Sequence, residues 1–169
     1  MFRKIFLALC FAPLIVFSNP ISDLENKNNL VGQIHYKKWF FDVYDAELFA
    51  EDKTFSWDKP FLLKLSYLRD INGGAIANQT SKEIKKQSPS LTRNEQTQIK
   101  EFFTKCFPNI KANDVLYGYM DINNVGHIYN INGIELCEIT DKYLAKSFFD
   151  IWLSDNASNL KLSRKLRGV

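Results

Sequence analysis

Val43-Tyr44-Asp45-Ala46-Glu47-Leu48-Phe49, read with Tyr67-Leu68-Arg69-Asp70-Ile71 and Phe148-Phe149-Asp150-Ile151-Trp152-Leu153 further on, is the sequence on which the fold turns. The first segment lies inside a strand predicted over residues 40–49. Upstream of it, Leu30, Gly32, Ile34 and Tyr36 alternate with Val31, Gln33, His35 and Lys37, the period of two expected where one face of a strand is buried. Downstream, past a loop at 52–60, Phe61, Leu63, Leu65 and Tyr67 alternate with Leu62, Lys64 and Ser66. They predict a third strand that ends at Arg69-Asp70.

After Asp70 the period changes. Ile76, Ala77, Thr80 and Ile84 fall at helical spacing behind an Asn72-Gly73-Gly74 turn, with Pro89 beyond the end. Thr92-Arg93-Asn94-Glu95 has the form of a capping box, in which the Thr hydroxyl and the Glu carboxylate each satisfy an unpaired N–H of a new helix. Ile99, Phe102, Phe103 and Cys106 then mark one buried helical face, closed by Pro108. Three strands follow. Val115, Tyr117 and Tyr119 alternate with Leu116, Gly118 and Met120, Asn123-Asn124-Val125-Gly126 turns the chain, and His127 to Ile131 returns. Asn132-Gly133 predicts a type I′ hairpin turn, because both residues tolerate positive φ, and Ile134 to Ile139 completes the hairpin. From Asp141 the pattern is helical again, with Leu144, Ala145, Phe148, Ile151 and Trp152 on one face, and a short basic helix with Leu160, Leu162 and Leu166 ends the chain. Helices gathered after the first strands, rather than alternating with strands, define an α+β domain.

Residues 1–18 read as a signal peptide: Arg3 and Lys4 are the basic start, 5–17 the apolar run and Val16-Phe17-Ser18 the cleavage site. That run is shorter than the ~20 residues needed to span a bilayer. A cleaved leader, a periplasmic or otherwise exported product and no stable membrane anchor after processing are therefore expected. Residues 19–29, polar and Asn-rich, are expected to be a flexible lead-in, and 30–169 a single domain. The chain carries 22 basic and 19 acidic groups. Losing Arg3 and Lys4 leaves a near-neutral surface, which argues against nucleic acid or an anionic membrane as the main partner. Aromatic residues make up 14%, 14 Phe among them, enough bulk for a large core or for the walls of an apolar cavity. Cys106 and Cys137 would reach an oxidising compartment. There they either form a disulfide or pack separately as small hydrophobes.

The Val43-Tyr44-Asp45-Ala46 strand, followed after one more strand by Arg69-Asp70, then by Asn132-Gly133 and the Phe148-Phe149-Asp150-Ile151-Trp152-Leu153 helix, resembles the chalcone-isomerase-like family in its small exported bacterial branch. The resemblance covers residues 30–166. It implies an antiparallel sheet with helices packed on one face and a ligand cleft between the layers. In the plant enzyme of that family an Arg on the first strand, a Thr on the second, and a Tyr and an Asn on the first helix assist cyclisation of a flavonoid precursor. Here the first strand offers His35, Lys37 and Lys38, and Val43 stands where the Thr aligns. Gly73-Gly74-Ala75-Ile76 replaces the Tyr, and Lys82 or Glu83 the Asn. No catalytic residue is carried over, and most of the donors that would steady a developing oxyanion are missing.

The remaining chemistry is sparse. His35 and His127 lie on different strands without a carboxylate or cysteine at ligand spacing, so no metal site is expected. No phosphate loop, nucleophile elbow or cofactor motif is present. Arg69 stands at the end of an apolar strand, where the cleft mouth belongs. It either holds a ligand carboxylate bidentately or pairs with Asp45 or Asp70 in a structural ion pair. Tyr44 and Tyr67, with His35, either line the same cavity or, in the case of the tyrosines, belong to the core. The expected function is non-catalytic binding of a small apolar or fatty-acid-like ligand between sheet and helices, which the fatty-acid-binding relatives of the plant enzyme make plausible. The alternatives are an isomerase or lyase acting on an unsaturated carbonyl compound with a rearranged residue set, and a structural or partner-binding periplasmic protein.

Overall fold

The computed structural model describes residues 20–26 and 29–169, so the predicted leader lies outside the described residues. In chain order the elements are α1 (Pro20–Leu24), β1 (Leu30–Lys38), β2 (Phe41–Ala50), β3 (Phe61–Tyr67), α2 (Gly73–Gln87), α3 (Arg93–Cys106), β4 (Val115–Met120), β5 (Gly126–Asn130), β6 (Glu135–Ile139), α4 (Lys142–Leu153) and α5 (Leu160–Arg167). The six strands form one antiparallel sheet in sequential order. The α2–α3 pair is an excursion between neighbours β3 and β4. Its neck is closed by Ile71 and Ile110, whose N–H groups each donate to the other's carbonyl at 2.9 and 2.8 Å.

The alternation read from the strands sorts into two faces. Ala46, Leu48, Phe61, Leu63, Leu65, Leu116 and Ile128 face the helices and pack against Ala77, Ile84, Phe103, Phe148 and Phe149. Close approach sets the spacing of these layers. A Cβ on Gly118 of β4 would lie 2.8 Å from the Phe149 ring, and one on Gly32 of β1 only 2.4 Å from the Lys165 carbonyl of α5. The helix starts follow the sequence. Asn72 caps α2 by accepting from the Ala75 N–H, Thr92 and Glu95 complete the predicted capping box, and Asp141 caps α4. Cys106 at the end of α3 is bonded to Cys137 of β6, with S–S 2.03 Å.

The other face of the sheet carries a smaller cluster of Phe49, Leu62 and Tyr117, and it is covered by Ile21 and Leu24 of α1. The segment expected to be a flexible lead-in is therefore, over residues 20–26, a docked helical turn; 27–28 lie outside the described residues. Its anchors are polar as well as apolar. The Tyr117 hydroxyl donates to Glu25 at 2.8 Å, and Lys64 bridges Glu25 and Glu47 at 2.8 and 3.3 Å.

Two turns differ from expectation. In the β5–β6 hairpin only Gly133 has positive φ, 72°. The Gly133 N–H donates to the Asn130 carbonyl, and the Asn130 N–H to the Ile134 carbonyl, both at 3.0 Å. This is a three-residue loop with a glycine bulge rather than a type I′ turn. The Asn130 side chain steadies it by accepting from the N–H groups of Asn132 and Ile134 at 2.9 and 3.0 Å. Asp121 does the same for Asn123 and Val125 at the β4–β5 turn, where Asn124 takes the left-handed position with φ 63°. The β1–β2 hairpin closes through only Trp39 and Phe40, since Lys38 pairs with Phe41. Trp39 sits there at φ 57°, a region that costs a non-glycine residue roughly 1–2 kcal/mol.

Candidate functional site

Three strands bring Tyr36, Tyr44 and Tyr67 into one row, because Tyr44 is registered opposite both of the others. Tyr36 and Tyr44 stack at 4.9 Å between centroids, and Tyr44 meets Tyr67 edge to face at 6.0 Å. From α4 the Trp152 indole N–H donates to the Tyr44 hydroxyl at 2.9 Å. Burial lifts the Tyr44 and Tyr67 hydroxyls well above the ordinary phenol range, so both rings are neutral hydrogen-bonding groups at any physiological pH. Tyr36 is raised for the same reason, with the charge of Glu83 adding to it.

Glu83, which sequence reading met only as one of two residues standing where the family's Asn would be, has a larger part in the structure. It is buried on α2 and accepts from Gln79 and Lys86 at 2.7 Å each and from the Ser158 hydroxyl. Burial alone would push its carboxyl up, but the bonds from Lys86, Ser158 and Gln79 outweigh it and hold the pKa below the ordinary value. The Gln79-Glu83-Lys86 spacing is legible as a helical ladder. That Ser158, 75 residues away, completes it is not.

Arg69 lies just beyond β3, where the Leu68 N–H still donates to the Val43 carbonyl at 3.0 Å. The alternative in which Arg69 pairs with Asp45 or Asp70 is not what the structure forms, since both acids are taken by other partners. Asp45 accepts from His35 Nδ1 at 2.6 Å, and Asp70 from Lys111 at 2.8 Å and the Ala112 N–H at 3.0 Å. Among the described residues Arg69 has no carboxylate partner. Its guanidinium rests over the Phe41 ring, 4.9 Å from the centroid. The Lys111 ammonium, then the Ala112 N–H, hold Asp70 below the ordinary carboxylate range.

His35 is exposed and does not line a cavity. Its ring bridges Asp42 and Asp45, at 2.6 Å on each nitrogen, and Lys37 also reaches Asp42 at 2.8 Å. Those bonds, that to Asp42 first, raise the imidazole pKa. His127 likewise meets Glu135 at 2.6 Å. Carboxylates do stand beside both histidines, brought there across strands, yet among the described residues no three such side chains are placed so that they could hold a metal ion.

The layer between sheet and helices is filled. Phe61, Phe103, Phe148 and Phe149 occupy it, with Phe61 and Phe149 edge to face at 5.1 Å and Phe103 stacked on Phe148 at 5.1 Å. One open space on this side is a polar cleft of about 290 Å³ bordered by Trp57, Gln87, Lys146, Asp150 and Arg167. Lys146 pairs with Asp150 at 2.8 Å and lies 4.3 Å over the Trp57 ring, and Arg167 pairs with Asp155 at 2.6 Å.

A six-stranded antiparallel sheet with its main helices on one face is similar in fold to that of a solved fatty-acid binding protein of Arabidopsis thaliana. The two superpose with a TM-score of 0.62 over 85% of this chain and 88% of that one, at 13% identity. At that identity the likeness is one of fold. The sequence profile of the chalcone isomerase-like family matches residues 25–168, and the chain belongs to that family. An uncharacterised protein of Haemophilus influenzae is 30% identical over 142 residues, 82% of this chain and 67% of its own length.

Proposed function

We propose that this chain is a non-catalytic chalcone-isomerase-like binding domain for a small apolar ligand that carries a carboxylate. The ligand lies at the aromatic end of the sheet–helix layer and its headgroup meets Arg69. One observation carries the reading: the two acids that would neutralise Arg69 are each held by another partner, Asp45 by the His35 ring and Asp70 by Lys111, which leaves a planar bidentate donor at the end of β3 with an aromatic ring beneath it. Tyr36, Tyr44 and Trp152 are only partly buried, so the apolar tail is admitted by displacement of their rings. The Arabidopsis neighbour of the same fold is described as binding fatty acid, which supports this ligand class by analogy. A rearranged isomerase would need a titratable group poised beside the ligand. Glu83 is held ionised by three donors, and the Tyr44 and Tyr67 phenols are held neutral.

Export belongs to the same proposal. The basic start and short apolar run of residues 1–18 support it, and a Cys106–Cys137 bond is of the kind that persists in an oxidising compartment. The intact mass of the periplasmic fraction should lack residues 1–18.

Thermal unfolding with and without a long-chain fatty acid tests the binding reading. At free ligand ~100-fold above Kd the wild-type protein gains ~2.7 kcal/mol. Arg69→Gln should lose that ligand-dependent gain while changing the unliganded stability by less than ~1 kcal/mol, because the side chain has no ion pair to break. A wild-type protein whose melting does not respond to fatty acid would end the reading.

A further inference from the structure

Most of the large exposed apolar side chains among the described residues gather at one end of the sheet, while Ile122, Tyr143 and Val169 lie elsewhere. In an antiparallel sheet ordered β1 to β6, the β1–β2 turn, the end of β3 and the β5–β6 turn all fall at the same end. Trp39, Phe40, Phe41, Leu68, Ile131 and Ile134 are exposed there, Trp39 at 86% and Phe40 at 96%. Four inter-strand spacings of ~4.8 Å separate the β1–β2 and β5–β6 tips, so these lie ~20 Å apart.

The charge at this end is uneven in a useful way. Its cations near the aromatic hairpin are Lys37, Lys38, Arg69 and Lys111, and the facing acids are Asp42, Asp45, Asp70 and Asp114, with Asp45 held by the His35 ring. Asp42 is held by His35 and Lys37, Asp70 by Lys111, and Asp114 accepts the Lys111 N–H. Lys38 and Arg69 pair with no carboxylate among the described residues.

We propose that this end of the sheet docks on an anionic phospholipid bilayer, with Trp39, Phe40 and Phe41 among the headgroups and Lys38 and Arg69 against the lipid phosphates. Indole and phenyl rings on a projecting turn suit the membrane–water interface, where an amphipathic ring finds both phases. Cations next to them add attraction to an anionic leaflet that the near-neutral charge of the whole chain conceals. The aromatics stand on a convex two-residue turn. A second copy meeting this face through a two-fold axis would set one cation-bearing patch against another of the same sign. The inference shares Arg69 with the ligand reading, but its test leaves Arg69 unchanged, so that failure of one is told apart from failure of the other.

The experiment is co-sedimentation with vesicles of phosphatidylcholine alone and of phosphatidylcholine with phosphatidylglycerol, with tryptophan emission followed in parallel. Wild type and variants carry the same N-terminus, so any contribution of the apolar residues 5–17 cancels. Wild-type protein should bind the phosphatidylglycerol vesicles with a blue shift in emission, and binding should weaken as salt is added. Trp39→Ser and Phe40→Ser should each cut binding ~10-fold, as expected for withdrawing one large apolar side chain from the interface. Lys38→Glu should cut it at least ~5-fold on anionic vesicles and leave the neutral ones unaffected. No wild-type binding to either vesicle, or equal binding by wild type and all three variants, overturns the proposal. So does a lipid-free dimer, seen by sedimentation equilibrium, that Trp39→Ser dissolves, because the face would then be a contact between copies.

Discussion

The two hairpins at the same end of the sheet solve one problem in opposite ways. At β5–β6 the turn is built from residues suited to its backbone. Gly133 takes the left-handed position, Asn130 holds two N–H groups with its side chain, and Cys137 ties the second strand to α3. At β1–β2 the left-handed position is filled by Trp39, the neighbouring residue is Phe40, and both side chains project away from the protein. The backbone of that turn gains nothing from an indole. What differs is therefore the demand on the side chain: one hairpin is arranged for folding, and the other tolerates local strain to hold aromatics outward.

Unpinning the ordered hairpin should have the largest effect. Replacing Cys106 and Cys137 together by Ser frees a loop with a sequence separation of 31 residues, and removing a cross-link of that span should cost ~3 kcal/mol in denaturant unfolding under oxidising conditions. Exchanging turn chemistry comes next, and there the two hairpins should respond with opposite sign. Gly133→Val puts a β-branched side chain at φ 72° and should lower stability by ~1–2 kcal/mol. Trp39→Asn relieves the same strain at φ 57° and removes almost no packing, so stability should stay level or rise by up to ~1 kcal/mol. If Trp39→Asn destabilised as much as Gly133→Val, the contrast between the hairpins would be false.

The smallest effect is one of pH and belongs to the aromatic hairpin alone. His35 is raised above 6.5 by its bonds to Asp42 and then Asp45, so its contribution is complete below that pH and fades as pH rises through the raised value. Asp42, lowered from 3.8 by Lys37 and then His35, contributes above that value and loses its contribution as pH falls through the lowered one. The stability of wild type relative to His35→Gln should accordingly be greatest between these limits and vanish in mildly alkaline solution. A difference that stays flat from pH 5 to about pH 9, beyond the ordinary histidine range, would remove the His35 bridge from the account.

Much of this fold was legible because periodicity and end signals are local. The period of two along Phe61–Tyr67, the Thr92–Glu95 box and the Phe148–Leu153 face each carry their own evidence. The site was less legible because it is set by register. A shift between Tyr36 and Lys37 in the β1–β2 ladder decides which acids of β2 face His35, and no spacing within one strand reveals it. The docking of α1 was hidden for another reason, since two apolar residues in five make no period. The sign of it lay elsewhere, in Phe61-Leu62-Leu63, a run that is apolar on both faces of its strand and so needs cover on both sides. Asn132-Gly133 marked the hairpin correctly but not its geometry, because Asn130 and not Asn132 organises the loop.

The docked turn α1 moves the start of the folded unit ten residues earlier than strand periodicity places it. A chain shortened to begin at Leu30 would keep every strand and the whole helical layer. It would nevertheless uncover Leu62, Phe49 and Tyr117 on the opposite face and deprive Lys64 of Glu25. The result would be a wet apolar surface in the middle of a sheet, a place where a second sheet adheres. Handled that way, a domain that is well ordered when intact would behave as a sticky one, for want of the short segment that follows the predicted cleavage site.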